Sequence, residues 1–313
     1  MQTPSRHPHP SEYAYAITPS QLDAFQSFLD AEYDWGQWWG NSEEPAKSAE
    51  EYAAECEKKL IDQINRCPKE PIEAADKGTV VNEIVDCLIH GRTPQNGIAL
   101  KTVDLGNVRF IIGSLNGFIW LFDLSFLSQL AVRFPNAISQ YPCGAPLHTS
   151  KGLVWLYGYL DEWVAYKISD IKTTGEYHFG KYERKWQKHV YPYTVVESGD
   201  CTEIKEFEYT AVKLSEPTKK DPVIHGEIYP EVYTNDHEQN RRLLQDICER
   251  FIEWLEYRRQ FITDRKIFGG ENPEGYVGEP IDINKLIQTK SWQCILNPPF
   301  PTTRFRRTAR LRK

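Results

Sequence analysis

The chain has 313 residues, of which 40% are hydrophobic and 13% aromatic, enough to build the core of one large domain or two small ones. No apolar run approaches the roughly 18 residues of a membrane span, and the polar, proline-rich first ten residues lack a signal-peptide pattern. These features argue against a membrane protein and predict a cytoplasmic one. Seven scattered cysteines without a Cys-x-x-Cys pair argue against a disulfide framework and a zinc site.

The net charge of −7 argues mildly against a nucleic-acid partner, because Lys and Arg contacts to phosphates dominate such affinity. The charge is unevenly distributed, however. Acidic residues crowd the N-terminal third, whereas the last ten residues carry six positive charges and no negative one. A nucleic-acid partner is therefore still compatible with the composition.

The N-terminal part of the chain predicts helices. Residues 1–16 are expected to be flexible, and helices are predicted over 19–33 and 46–66, joined by a turn-rich stretch. Thr18 is a good N-cap before Pro19. A further helix is predicted over 79–90 and should end at Gly91, a residue suited to the left-handed C-cap conformation.

The middle of the chain predicts alternating strands and helices. Short β-type runs separated by turn residues indicate a meander. The predicted strands are 100–104, 108–113, 117–122, 153–163, 168–174 and 203–213; the predicted helices are 124–134 and 179–191; and a Pro- and Gly-rich loop is predicted over 135–152. Pro192 is expected to end the second of these helices.

The C-terminal part predicts one long amphipathic helix over 237–265, with apolar residues at helical spacing. An extended arm over 269–313 should follow it and end in the basic tail. The expected organisation is a flexible segment at 1–16, one elaborated domain over 17–268 with its core at 76–214, and the arm.

Chemistry-bearing residues are concentrated between 158 and 191. Gly158-x-x-Asp161 ends one predicted strand, Asp170-x-Lys172 lies in the next, and Gln187 and Tyr191 are four apart on a predicted helix. Side chains two apart on a strand share a face, as do side chains four apart on a helix. Two carboxylates that converge with a lysine can hold a divalent cation through oxygen and assist an attacking water.

This ordered set resembles the PD-(D/E)XK nuclease superfamily, in particular its RecB-like branch with a Gln-x-x-x-Tyr helix, which includes phage recombination exonucleases. Two upstream segments, 77–86 and 17–25, resemble the Gly-Thr helix opening and the Ser-x-Leu segment of such domains. The resemblance implies an α/β fold: a restriction-endonuclease-like core with a mixed central sheet flanked by helices, plus an N-terminal helical segment and a long C-terminal helix.

The resemblance also implies a function and a site. It implies a Mg²⁺- or Mn²⁺-dependent DNA nuclease, chiefly exonucleolytic, acting in recombination or repair. Catalytic roles would fall to Asp161, Asp170, Lys172, Gln187 and Tyr191, with Asp161 and Asp170 binding the metal. No iron–sulfur cluster is expected, because the clustered late cysteines of some RecB-like exonucleases are lacking.

Asn82 departs from the pattern, because the family usually has a metal-binding histidine there. On a helical wheel Asn82 borders the apolar face of helix 79–90, Asp86 lies further round, and Glu83 points almost opposite. Asn82 is therefore the first candidate for a third metal ligand and Asp86 the second, and Glu83 is predicted to face outward. An amide oxygen suits magnesium or manganese better than zinc.

Two groups of basic residues are predicted to contact DNA phosphates without reading sequence. One surrounds the predicted site helix: Lys181, Arg184, Lys185 and Lys188. The other is the C-terminal tail: Arg304, Arg306, Arg307, Arg310 and Arg312. The long helix is expected either to pack on the core or to mediate self-association. A recombination partner protein is the alternative partner to a second copy of the chain.

Two other functions are compatible with the sequence. The replacement at position 82 and the basic tail favour a catalytically silent DNA-binding or assembly protein on the same fold. An unrelated α/β enzyme would need another motif, but the sequence has no phosphate loop, no Gly-x-Ser-x-Gly elbow and no dinucleotide fingerprint.

Overall fold

A computed structural model describes residues 12–106 and 108–269. They belong to the first of two units, Met1–Tyr276 and Val277–Lys313. The predicted basic tail, most of the arm and the first eleven residues lie outside the described residues. The described part is a mixed α/β structure with two sheets, which agrees with the predicted fold class at the level of α/β. None of its helices is long and apolar enough to cross a membrane.

The described residues form seven α-helices and ten strands. The helices are α1 (Pro19–Leu29), α2 (Ala31–Trp39), α3 (Ala49–Ile64), α4 (Glu73–His90), α5 (Leu124–Val132), α6 (Gln187–Glu197) and α7 (His237–Tyr257). The strands are β1 (Tyr15–Ile17), β2 (Ala99–Leu105), β3 (Val108–Leu115), β4 (Phe118–Asp123), β5 (Ile138–Thr149), β6 (Gly152–Val164), β7 (Lys167–Thr174), β8 (Glu206–Leu214), β9 (Val223–Ile224) and β10 (Gly226–Thr234).

The larger sheet has six strands in the order β1-β6-β7-β8-β10, with β5 paired to β6. It is mixed: β1 is parallel to β6 and β7 is parallel to β8, whereas β5–β6, β6–β7 and β8–β10 are antiparallel. The smaller sheet is the predicted meander of β2, β3 and β4, extended by a short parallel pairing of β4 with β9.

Helix α4 connects the two sheets through a shared core. Its apolar residues Val80, Val81, Ile84 and Val85 are fully buried against β3, β4, α5, β7 and β8. The helix ends at Gly91, whose φ of 60° is the left-handed conformation predicted for this C-cap. The packing fixes which side of α4 faces the large sheet, and with it the position of Asn82.

Helices α1 and α7 form a second packing layer. Thr18 and Gln21 make a reciprocal capping box at the start of α1. Phe25 of α1 packs its ring 5.0 Å from that of Phe251 and 6.1 Å from that of Trp254, both on α7. Burying such large apolar side chains stabilises the fold by roughly 1.5–3 kcal/mol each, so α7 is part of the folded body of this unit.

The predicted loop over 135–152 is wrong, because residues 138–149 form β5. This strand pairs with β6 along nearly its whole length, from Ile138 opposite Trp163 to Thr149 opposite Gly152. Pro142 and Pro146 suggested a loop, but β5 lies at the edge of the sheet, where a proline without an N–H is tolerated.

The predicted helix over 179–191 is also wrong in its bounds. Residues 179–186 form turns, α6 begins at Gln187, and it continues through Pro192 to Glu197. All residues from Val190 to Val195 are buried, so tertiary packing outweighs the single backbone hydrogen bond that Pro192 cannot make. Three smaller predictions also need correction. The predicted helix 19–33 is divided at Asp30, and the end of the segment 1–16 predicted to be flexible belongs to β1, Tyr15–Ile17. Helix α7, predicted to run to residue 265, ends at Tyr257.

Candidate functional site

The candidate site lies where β6 and β7 diverge. The two strands pair at Val164–Lys167, Trp163–Ile168 and Glu162–Ser169. Asp161 and Asp170 occupy the next position of this register, beyond the end of the backbone pairing between the two strands. The two carboxylates that lie nine residues apart in the sequence are therefore held side by side by the hairpin, as the predicted strands required.

Asp170 is buried, with 2% of its surface exposed, and it has two partners. Lys172, on the same face of β7, places Nζ 2.7 Å from one carboxylate oxygen. Gln187 at the start of α6 donates its Nε2 hydrogen bond to the other oxygen at 2.7 Å. The predicted acid, lysine and glutamine are thus in direct contact.

Asp161 lies between β7 and α4. Its Oδ2 accepts the backbone N–H of Ile171 at 2.9 Å and lies 3.5 Å from Nδ2 of Asn82. Burial, and then repulsion from Asp170, raise the pKa of Asp161 to about 7. A positive charge between the two aspartates would relieve this repulsion.

Lys172 provides part of that charge. Burial alone would lower its pKa, but the attraction of Asp170 and Asp161 outweighs burial and raises the pKa above the ordinary value. The side chain is therefore an ammonium at neutral pH. It can stabilise negative charge and orient a water molecule, but it cannot accept a proton in this state.

Helix α6 is fixed to the site by two contacts. Asp23 of α1 accepts the backbone N–H of Trp186 at 2.8 Å, at the residue that precedes Gln187. Tyr191, 6% exposed, packs its ring over Gly158, where an added Cβ would lie 2.8 Å from ring atom Cε1. The Gly158 and Tyr191 of the predicted motif therefore form one packing contact, with Tyr191 Oη 3.5 Å from Gln187 Nε2.

The side chains fit a hard divalent cation in their chemistry. Asp161, Asp170 and Asn82 offer oxygen donors, which magnesium and manganese prefer. Oδ1 of Asn82 is buried and lacks a hydrogen-bond partner, so a cation would satisfy it. Within residues 12–106 and 108–269, no three or more His, Cys, Asp and Glu side chains are grouped to hold a metal. Binding would therefore depend on the amide as well as the two carboxylates.

The outward orientation predicted for Glu83 is wrong. Glu83 is 7% exposed and forms a bidentate ion pair with Arg92 at 2.6 and 2.9 Å. Arg92 also reaches Asp86 at 3.1 Å. The segment after α4 folds back over the helix and covers a side that the helical wheel assigned to solvent. Asp86 is thus committed to Arg92 and, through a carboxyl–carboxylate contact, to Glu162.

The basic residues near α6 are largely paired with acids or backbone oxygens. Arg184 binds Asp34 at 2.9 Å, and Lys185 lies 3.4 Å from Asp23. Lys188 packs over the ring of Tyr233 at 4.4 Å, and burial lowers its pKa to about 8. Lys181 donates to Thr174 and to the carbonyl of Glu176. The predicted phosphate-binding patch would have to exchange these partners for DNA, and Arg304, Arg306, Arg307, Arg310 and Arg312 lie outside the described residues.

A pocket of about 690 Å³ opens beside Asp161 and Asn82. Most of its lining residues were not predicted as site residues from the sequence, among them Tyr159 and Gln140. Tyr159 precedes Asp161 by two positions on β6 and is 63% exposed. Gln140 would stand opposite Asp161 in the β5–β6 register, but its φ of 51° places it in the left-handed region and the pair is not formed. The spacing of Tyr159 from Asp161 was a usable signal, whereas Gln140 fell within the predicted loop.

Comparisons with known proteins do not assign a family. No protein-family model and no curated protein matches the chain. Among solved structures, the chain is similar to one titled "Crystal structure of SSO0001", with 14% sequence identity and a TM-score of 0.27. The match covers 40% of this chain and 55% of the other.

Proposed function

We propose that the protein is a divalent-metal-dependent DNA nuclease of the PD-(D/E)XK type, and more specifically an exonuclease that processes DNA ends in recombination or repair. One observation carries the proposal: Asp161, Asp170 and Lys172 converge at the divergence of β6 and β7, with Gln187 bound to Asp170. Carboxylates with raised pKa values beside a charged lysine are a feature of catalytic sites, and here they support the proposal together with the geometry.

The side chains would divide the work as follows. Asp161, Asp170 and Asn82 would hold a Mg²⁺ or Mn²⁺ ion, which would activate a water and neutralise phosphate charge. Lys172 would place its ammonium beside the scissile phosphate and stabilise the negative charge that develops there. Gln187 fixes the Asp170 carboxylate, so both oxygens of that acid are oriented before a substrate binds.

The protein should be incubated with end-labelled linear DNA and with closed circular DNA, with Mg²⁺, with Mn²⁺ and with a chelator. An exonuclease should degrade linear but not circular DNA, and only with a metal. Release of single nucleotides from the labelled end would distinguish it from an endonuclease. Intact linear DNA under every condition would refute the nuclease activity.

A second candidate is a catalytically silent DNA-binding or assembly protein on the same fold. Its supporting observation is that Asn82 donates its amide N–H toward Asp161 and thereby ties up an oxygen that a metal would use. Titration calorimetry with Mn²⁺ separates the two candidates: no heat of binding, together with retained DNA binding, would favour the silent protein.

A further inference from the structure

The pocket beside Asp161 shares Asn82 and Asp161 with the candidate metal site and extends beyond it. Its lining includes neutral hydrogen-bonding side chains, among them Thr79, Gln95, Asn96, Ser139 and Gln140, and the acidic side chains of Glu83, Asp86 and Asp161. Its one arginine, Arg92, is engaged by Glu83 and Asp86. Amides and hydroxyls can hydrogen-bond the donor and acceptor edges of nucleobases, whereas the carboxylates of this lining repel a phosphate. The lining is therefore suited to a base rather than to a phosphate.

Tyr159 adds an aromatic surface to this lining. Alternate residues of a strand point to the same side, so Tyr159 and Asp161 face the pocket together. With 63% of its surface exposed, the tyrosine presents a ring to solvent beside a polar cavity. An exposed ring next to base-sized polar space is the arrangement used to stack unpaired bases.

Gln140 lies in a costly backbone conformation at the same place. A left-handed φ is uncommon for a residue other than glycine, asparagine or aspartate, and it is maintained where the surrounding structure requires it. Here it interrupts the β5–β6 pairing opposite Asp161 and leaves the Gln140 side chain exposed at the pocket. The interruption keeps the space beside Asp161 open.

We infer that this pocket binds the unpaired terminal nucleotide of a DNA strand, with its base stacked on Tyr159 and its polar edge toward Gln140 and its neighbours. The volume of about 690 Å³ lies within the range of small-molecule sites, roughly 300–1,000 Å³. It can accept an extruded nucleotide but not a duplex. The adjacent phosphate would then lie over Asp161. This assignment rests on the proposed nuclease function and specifies its substrate as a frayed or overhanging DNA end.

The test is a binding measurement in chelator, so that no cleavage occurs. Duplex DNA with a short single-stranded overhang, ending in the fluorescent base 2-aminopurine, is compared with the blunt duplex. Tyr159→Ala should weaken binding of the overhang about 5- to 150-fold, since stacking is worth roughly 1–3 kcal/mol per base. Tyr159→Phe keeps the ring and should bind like the wild type. Tyr166→Ala, at a tyrosine 51% exposed outside the pocket, is the matched control and should also bind like the wild type.

A second pair of variants tests Gln140. Gln140→Gly removes the side chain while accommodating the left-handed φ, and Gln140→Asn keeps an amide on a residue type that tolerates it. The glycine variant should lose overhang affinity and the asparagine variant should retain most of it. Melting temperatures of all variants show whether the fold is preserved.

Three outcomes would overturn the inference. The wild type does not bind the overhang, Tyr159→Ala binds it as well as the wild type does, or Tyr159→Ala weakens the binding of overhang and blunt DNA equally. Tighter Tyr159-dependent binding of a ribonucleotide overhang would reassign the pocket to RNA. Failure of the inference about the pocket can be told apart from failure of the nuclease proposal. Metal-dependent cleavage without an effect of Tyr159→Ala would support the nuclease proposal and refute the nucleotide pocket. Tyr159-dependent binding without cleavage under any metal would support the pocket and refute the nuclease activity.

Discussion

The carboxylate of Asp23 accepts the backbone N–H of Trp186 at 2.8 Å, although 163 residues separate the two in the chain. Helix α1 thereby fixes the first turn of α6, the turn that carries Gln187. The N-terminal part of the chain thus contacts the helix of the candidate site directly. This relationship gives α1 a role in positioning the candidate site.

Two replacements of Asp23 should distinguish the effect of its hydrogen bond to Trp186 from the effect of its negative charge. Asp23→Asn keeps an oxygen that can accept the Trp186 N–H, whereas Asp23→Ala removes this acceptor from a buried donor at a cost of about 1–3 kcal/mol. We expect alanine to lower both stability and metal-dependent cleavage, and asparagine to change them much less. Urea unfolding and initial cleavage rates measure the two effects. Equal behaviour of both variants would exclude the role assigned to this hydrogen bond.

Lys172→Ala and Asp161→Ala should each abolish metal-dependent DNA cleavage with the fold intact. A loss of roughly a thousandfold or more is expected if the metal ligands and the lysine act as a unit. Lys213→Ala, a lysine on the neighbouring strand β8 paired loosely with Glu227 at 3.9 Å, is the matched control. Near-wild-type rates in either site variant, with circular dichroism unchanged, would remove Asp161 or Lys172 from the catalytic set.

Position 82 should control metal affinity. Asn82→Leu removes the unpartnered amide oxygen at similar volume and should weaken Mn²⁺ binding measured by calorimetry. Asn82→His restores the residue usual in the resembled family and should preserve or raise both affinity and cleavage. Leu88→Ala, at an exposed position of α4 outside the pocket lining, is the control. Unaltered Mn²⁺ affinity in the leucine variant would mean that Asn82 is not a ligand.

Gly158 should be intolerant of any side chain because of Tyr191. A Cβ at this position would lie 2.8 Å from Cε1 and 3.3 Å from Oη of Tyr191, so Gly158→Ala must displace the ring and, with it, the Gln187 helix turn. We expect reduced cleavage and a lower melting temperature. Gly158→Ala should cost less stability in a Tyr191→Ala background than in the wild type, since the clash is absent there. A Gly158→Ala protein as active and stable as the wild type would contradict this packing account.

His189 should make the protein acid-sensitive. Its Nδ1 lies 2.7 Å from Oδ1 of Asn240, and burial followed by the nearby Lys188 lowers the His189 pKa to about 4. A lowered histidine pKa contributes stability that is complete above the unfolded value near 6.5 and is lost as the pH falls toward 4. Between pH 7 and pH 5 the loss is up to about 2 kcal/mol.

The measurement is urea unfolding of wild type and His189→Gln at pH 7 and pH 5. The glutamine can still hydrogen-bond Asn240 but does not titrate, so its unfolding free energy should fall less on acidification. A parallel fall in both proteins would assign the acid sensitivity to other groups.

Much of the candidate site could be predicted from local patterns. Asp161, Asp170 and Lys172 lie on strands whose apolar alternation is visible in the sequence, and the short turn between these strands fixes their mutual register. Asn82 could be oriented by the wheel because the apolar stripe of α4 is continuous and its burial is nearly complete. In each case the decisive interaction is between residues close in sequence, or within one element of clear period.

The rest depended on contacts between distant segments. Strand β5 contains prolines that disfavour a strand locally, and only its pairing with β6 makes it one. Helix α6 runs through Pro192 because residues 190–195 are buried together. Glu83 is buried because the segment of Arg92 folds back over α4.

Periodicity by itself determined the strands and helix that carry the candidate metal ligands, since a period of two or 3.6 residues states which side chains share a face. Only the tertiary structure decided what surrounds them: the contact of Asp23 with α6, the interruption of the β5–β6 pairing at Gln140 and the pocket beside Asp161. These features arise where two or three elements meet. Their energies are sums over long-range contacts, to which the local pattern of any one segment contributes no signal.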